Sequence, residues 1–436
     1  MQKEKGELRC KKRNFNLTKK ALILAILFLV FHLILSFLRG ELNFMVPPLL
    51  TFIVDDLGAN LGQGGLLQTT STLCMGVGMI FASIVIDKIG GSKTLALSTV
   101  FMFISGLLGL TATTFTAMLF ARVFAGLGNA FSFPAVVAIV AERFRDKKHL
   151  GMANSVIQAT NSLTQTLTFS LTVPIFMALG QNWHYQFMMW GTSCLALGIL
   201  FLVFDRKPNA FFKEYNNAQL AQENAGQAPA QQAKAAPKAK GSSLVQAIKI
   251  RPVQSAVISF TGATWLFMIF NTYLPTILKS VHGLSAQEAS SITGLISLAG
   301  LFSCLLYAPI VGRIKNYKPI ILLFMILLPL SGVCSMLLKP GLLLRLCVIV
   351  LGIAWGCYVP TINTAVITTK GVTPGIFAAS NAIWTLFGNA LAMLMPILFQ
   401  TLQVRIGMQN AAIALCLGGV FAIAGALYFP SEKKTA

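Results

Sequence analysis

Between Ala21 and Phe429 one pattern recurs: apolar runs of about 20 residues, parted by short polar connections. A run of that length crosses the hydrocarbon core of a bilayer as a helix. In lipid only helices and closed barrels satisfy their own backbone hydrogen bonds. Barrel strands would alternate apolar and polar residues over about 10 positions, and these runs do not. Charged residues make up 11% of the chain, against about 25% in soluble domains. The reading is an all-α membrane protein of twelve transmembrane helices, near 21–50, 64–86, 94–113, 116–140, 152–179, 185–204, 253–279, 289–311, 319–338, 343–367, 375–402 and 407–429. The third and fourth runs nearly touch and are parted on length. The stretch 21–38 is too long for a signal-peptide core and no small-residue cleavage site follows it, so it reads as the start of span 1.

The net charge of +21 raises the question of nucleic acid. Its distribution answers otherwise. With the N-terminus in the cytoplasm, 28 of the 34 Lys and Arg residues fall in the tails and even-numbered connections. That is the positive-inside bias of a multi-pass protein in a cell membrane, inner or plasma, with both termini cytoplasmic. Membrane lipid, not nucleic acid, is the expected partner of the basic tail. The eight cysteines form no CxxC pair and read as small hydrophobes in apolar helix, so no metal and no cofactor are expected.

Residues 205–252 interrupt the pattern. From Asn216 to Lys240 they are rich in Ala, Gln, Asn and Lys, a composition that cannot bury a core. The expected organisation is a basic tail (1–20), a six-helix half (21–204), a cytoplasmic linker (205–252), a second six-helix half (253–429) and a short tail (430–436). The halves read as copies. Asn43 and Pro47 match Asn271 and Pro275 at an offset of 228, and Gly126 and Pro134 match Gly352 and Pro360 at 226. Lys88 and Lys93 match Arg313 and Lys318 at 225. Two parallel pseudo-repeats suit a rocker around a midplane site.

These residues resemble the major facilitator superfamily across nearly the whole chain. Ser83 to Lys93, containing Asp87, Lys88, Gly90 and Gly91, is similar to its signature G-x-x-x-D-R-x-G-R-K. The resemblance implies the major facilitator fold, and a cytoplasmic gate at Asp87, Lys88, Gly91, Lys93 and the second-copy Arg313. Within the superfamily the N-half looks most like the anion:cation symporters. Arg39 and Pro47 in span 1, and Arg122, Gly126, Gly128, Pro134 and Ala135 in span 4, stand as in that group. Asn129 stands where that group carries Glu.

Three charges lie inside the N-half spans: Arg39, Glu41 and Arg122. Intramembrane charges are costly and mark function. Counted along helix axes, Glu41 lies about 13 Å deep, Arg39 about 16 Å and Arg122 about 9 Å. Positions 39 and 41 are about 200° apart around the helix. Glu41 is therefore expected to pair with Arg122, leaving Arg39 to meet an anionic substrate, a monoanion or a zwitterion, through its planar fork. Span 5 carries a polar stripe, Asn154, Gln158, Asn161, Ser162 and Gln165. The expected substrate contacts are Arg39, Asn43, Gln158, Asn161, Asn271, Tyr358, Asn381 and Trp384. Coupling or charge pairing is expected at Glu41, Arg122 and Asn129, with His32 as a second proton carrier.

No run of the form G-x-x-x-x-G-K-[ST] is present, so ATP is not the expected energy source. No nucleophile with a base stands out, so no enzyme is expected. The expected function is secondary transport of a small organic anion by a monomer, through rocker-switch alternating access coupled to a proton or another ion. A drug or metabolite exporter, and a non-transporting membrane receptor, are the alternatives.

Overall fold

The computed structural model describes residues 2–143, 147–226, 246–369, 372 and 374–430. Among these, eleven helices are long and apolar enough to cross a membrane. They are span 1 (Ile23–Asp56), span 2 (Leu61–Ile89), span 3 (Gly91–Leu110), span 4 (Phe115–Val140), span 6 (Trp183–Phe212), span 7 (Arg251–Ser280), span 8 (Ala286–Tyr307), span 9 (Lys318–Leu337), span 10 (Leu342–Ile367), span 11 (Ala379–Ile406) and span 12 (Met408–Tyr428). Lys147–Ala178 is the twelfth, span 5. Its Asn, Gln and Thr residues set it apart from the rest, as the polar stripe requires. Spans 3 and 4 separate at the short connection after Leu110.

Two ends differ from expectation. The helix of span 6 runs on to Gly226, through what reads as linker. Its Lys, Glu, Gln, Leu and Ala are good helix formers, so low apolar content ends burial there without ending the helix. Residues 227–245 of the expected linker lie outside the described residues. Helix also extends from Gln2 without interruption into span 1, through the expected tail.

Corresponding positions in the two halves do the same structural work. Gly58 and Gly283 both take positive φ, 58° and 68°, in the turns before spans 2 and 8. Each turn leads into a capping box, Asn60 with Gln63 and Ser285 with Glu288, at the same offset. A Cβ on Gly126 would meet Ser71 O of span 2, and one on Gly352 would meet Ile296 O of span 8. Glycine is thus required twice, at equivalent crossings of spans 4 on 2 and 10 on 8. The chain is two six-helix pseudo-repeat halves. Within the first, span 4 packs on spans 2 and 3, and span 3 packs in turn on span 6; spans 3 and 6 approach backbone to backbone at Gly106 and Gly191. The halves meet where span 5 packs on span 8, span 2 on span 11, and span 1 on span 7.

Hydrogen bonds between the halves are unevenly placed. Call the end of the bundle that bears the N-terminal helix the tail side, and the other the far side. On the far side Gly62 N donates to Gln400 Oε1 (2.9 Å), Tyr273 Oη to Leu61 O (3.3 Å), Lys279 Nζ to Thr51 Oγ1 (2.8 Å) and Gln287 Nε2 to Ser170 O (2.9 Å). Ser290 Oγ donates to Phe169 O. Nearer mid-depth, Gln165 Nε2 donates to Asn271 Oδ1 (2.8 Å) and Asn389 Nδ2 to Thr72 O (3.5 Å). These seven are the cross-half hydrogen bonds between described residues, and they hold the far side shut.

Candidate functional site

Span 1 is not one continuous helix. It bends at Met45, between helices Gln2–Phe44 and Val46–Asp56. Pro47 and Pro48 have no N–H, so Asn43 O and Phe44 O lose their helical donors. The bend at Met45 parts Val46 from Leu42 O as well. Arg122 of span 4 fills this gap. Its Nη1 donates to Leu42 O (2.9 Å), its Nη2 to Asn43 O (2.7 Å) and its Nε to Leu67 O of span 2 (3.0 Å). Nη2 also reaches Gln68 Oε1 (3.3 Å), and Ser71 Oγ donates to Asn43 Oδ1 (2.7 Å). Buried breaks in membrane helices persist only where neighbours re-satisfy the freed backbone. Arg122, fully buried, does this for span 1.

The expected Glu41–Arg122 ion pair is therefore absent among the described residues. Glu41 turns toward span 5, where Thr172 Oγ1 donates to its Oε2 (3.1 Å) and Thr168 lies beside it. Gln186 of span 6 donates from Nε2 to Thr172 O (3.2 Å). Glu41, Thr168, Thr172 and Gln186 are all 0% exposed. Equal depth brought Glu41 and Arg122 to one level, but the orphaned carbonyls claimed the guanidinium first. Asn129 also stays apart from Glu41: its Nδ2 donates to Ala125 O of its own helix (3.1 Å).

Arg39 is 7% exposed. It lies beside Cys194 of span 6, with His32 two turns below on the same face of span 1. Its Nη2 donates to Ser36 Oγ at 3.5 Å, a long bond, and its Nη1 has no hydrogen-bond partner. Ser36 in turn meets the His32 ring at 3.2 Å. Arg39 and Glu41 thus lie on opposite faces, as their spacing requires.

The remaining expected contacts divide. Asn271 bridges the halves through Gln165, its own Nδ2 donating to Phe267 O (2.8 Å). Asn161 is half-buried on the same span as Gln165. Asn381 is half-buried and accepts from Thr385 (3.4 Å). Asn43 is committed to Ser71 and Arg122. Tyr358 is fully buried with its hydroxyl bonded to Ser259 (2.8 Å), and Trp384 packs between Phe260 and Phe377. In this arrangement both side chains are packed within the C-half. The Gln158 side chain lies outside the described residues. At the expected gate, Asp87, Lys88, Lys93 and Arg313 are exposed on the tail side, and Gly91 packs against Ala135 O and Ile139 of span 4. Reading residue types alone missed Thr168, Thr172, Gln186 and Cys194. Thr164, Thr168 and Thr172 recur at four residues, a second stripe on span 5 that could have flagged two of them.

Comparison with known proteins agrees with this architecture. The curated "Uncharacterized transporter YycB" of Bacillus subtilis is 23% identical over 378 residues, covering 86% of this chain and 85% of that protein. A "Probable 4-methylmuconolactone transporter" of Cupriavidus pinatubonensis is 25% identical over 179 residues, 41% of this chain and 40% of that one. Among solved structures, a bacterial homologue of the human lysosomal transporter Spinster, inward-facing and unoccupied, superposes with a TM-score of 0.72 at 13% identity, covering 93% of this chain and 98% of that one. The family description "Major Facilitator Superfamily" matches residues 32–388. With that match over most of its length, on a twelve-helix duplicated bundle, the chain belongs to the Major Facilitator Superfamily and is a membrane transporter.

Proposed function

We propose that this transporter carries a small organic anion, a monoanionic carboxylate or else the carboxylate end of a zwitterion, by alternate opening of its two sides, coupled to a proton or another ion. The observation that carries the reading is Arg39 Nη1, a buried cationic donor with no partner. At mid-depth in the spans, away from their ends, two guanidiniums, Arg39 and Arg122, stand against one carboxylate, Glu41. Arg122 spends its donors on backbone and amide oxygens, which are dipoles. One positive charge is left uncompensated in a low-dielectric interior, where an unpaired ion costs several kcal/mol. A bound monoanion on Arg39 removes that cost. A relative named for a lactone transporter is in keeping with a small organic cargo.

The charge bias of the connections supports a cytoplasmic tail side. The far-side bonds then make this the inward-facing arrangement. Arg39 meets the cargo, and Gln165, Asn271, Asn161 and Asn381 offer neutral contacts at mid-depth. The test is a panel of small carboxylates against neutral analogues of the same shape, read as thermal shift on the purified protein. One carboxylate is expected to stabilise the parent, and Arg39→Ala to abolish the shift. Equal stabilisation of parent and Arg39→Ala removes the role of Arg39; stabilisation by neutral analogues alone removes the anion.

A further inference from the structure

Two buried acceptor oxygens in the N-half have nothing to accept. Glu41 Oε1 and Gln186 Oε1 each lack a hydrogen-bond partner, and both residues are wholly buried. They are not independent, because both side chains are anchored on one residue: Thr172 gives its hydroxyl hydrogen to Glu41 and its carbonyl to Gln186. Thr168, one turn earlier on the same face, completes the group; its own hydroxyl hydrogen is placed on Thr164 O (3.0 Å). Spans 1, 5 and 6 thus bring a carboxylate, two hydroxyl oxygens and an amide oxygen together. Two oxygens left unpaired in a dry interior are costly, and both are acceptors. What they lack is positive charge.

We infer that Glu41, Thr168, Thr172 and Gln186 form the coupling-cation site of this transporter, taking one small hard cation, either a proton on Glu41 or a sodium ion held by the oxygens. A proton on Glu41 Oε1 would turn one orphaned acceptor into a donor, with Gln186 Oε1 as its acceptor. A sodium ion would draw on oxygens of the kind hard cations prefer. The site is distinct from Arg39, which lies on the opposite face of span 1.

The surroundings explain how cargo and cation are linked. The charged groups near Glu41 are Arg39, two residues back on its own helix, and Arg122 of span 4, whose donors end on the carbonyls of Leu42 and Asn43. Among the described residues, the groups that spans 5 and 6 place around it are neutral: Thr168, Thr172 and, through Thr172, Gln186. A cation entering this site adds to two existing positive charges, which disfavours it while Arg39 is unpaired. An anion on Arg39 cancels one of them. By reciprocity the cation tightens the anion by the same factor, about tenfold for a typical pair of linked sites. This linkage rests on the monoanion reading; the cation site itself does not.

The test separates the two. The purified full-length protein is titrated with sodium chloride against choline chloride at fixed pH, and separately through a pH series in choline alone, with no anion cargo added. The thermal midpoint is expected to respond in one arm, which names the cation. Glu41→Gln is expected to abolish the response. Gln186→Leu is expected to raise the cation concentration needed by about tenfold. Should Glu41→Gln fold poorly, Glu41→Asp serves, with a displaced rather than lost response. A parent insensitive to both cations, or Glu41→Gln and Gln186→Leu variants that keep its dependence, overturns the site. A cation response without any anion-induced shift leaves the site standing and removes the monoanion.

Discussion

Replacing Arg122 by Ala should destabilise the fold for a reason that does not involve an ion pair. The side chain holds Leu42 O and Asn43 O at 2.9 and 2.7 Å, both in the last turn before the span 1 break. Hydrogen bonds to a charged donor contribute about 1.5–3 kcal/mol each, so the loss is about 3–6 kcal/mol. Lys, a single point charge, should recover less than half of it. The decisive perturbation is the second one. Pro47→Ala restores an N–H that can reach Asn43 O, so in the Arg122→Ala background it should return about 1 kcal/mol, while in the parent it should do little. Unfolding midpoints in mixed micelles for parent, both singles and the double give the coupling directly. Sites that do not share a partner add within about 0.3–0.5 kcal/mol. A cycle closing within that margin, or Arg122→Ala costing under about 1 kcal/mol, would refute the assignment of Arg122 to these carbonyls.

Three further outcomes follow from other parts of the bundle. Lys279 Nζ lies 4.1 Å from the Phe52 ring centroid as well as on Thr51; Lys279→Met with Gln400→Ala should weaken the far-side seal by about 2 kcal/mol and raise the far-side-open population by at least tenfold, measured as spin-label distances between spans 1 and 7. Gly126→Val and Gly352→Val both drive side chains onto carbonyl oxygens and should each cost about 1–3 kcal/mol, while Gly312→Ala, with nothing within 4 Å, should leave the melting temperature unchanged. Arg143 and Asp205 form an ion pair with both side chains 5% exposed, and Ser92 Oγ donates to the same carboxylate at 2.7 Å; Asp205→Ala should therefore cost about 3–5 kcal/mol by denaturant titration, and a loss under about 1 kcal/mol would show the pair to be solvated.

The spans could be read from residue types because lipid imposes a length and a composition on whatever crosses it. The duplication could be read because glycines at close crossings cannot be replaced: Gly126 and Gly352 keep their offset for a steric reason. The azimuth of a side chain was legible only locally. The two-residue spacing of Arg39 and Glu41 correctly places them on different faces. It does not say which neighbour each face meets. Depth along an axis carries no azimuth, and a helix that breaks at Met45 presents carbonyls as well as side chains, so counting charges overlooked the oxygens that hold Arg122. Tyr358 makes the same point: a polar atom in a span is as well served by Ser259 within one half as by a cargo between the two.

Five of the seven bonds joining the halves end on main-chain atoms of the N-half: Gly62 N and the carbonyls of Leu61, Phe169, Ser170 and Thr72. Every residue type offers the carbonyls, and every type except proline the N–H. Substitution in the N-half therefore leaves the partners of Tyr273, Gln287, Ser290, Asn389 and Gln400 in place, while one exchange at any of these five removes a tie. Drift in how readily this protein opens away from its tail should be written almost entirely in the second copy of the repeat, leaving the first free to diversify around its charges.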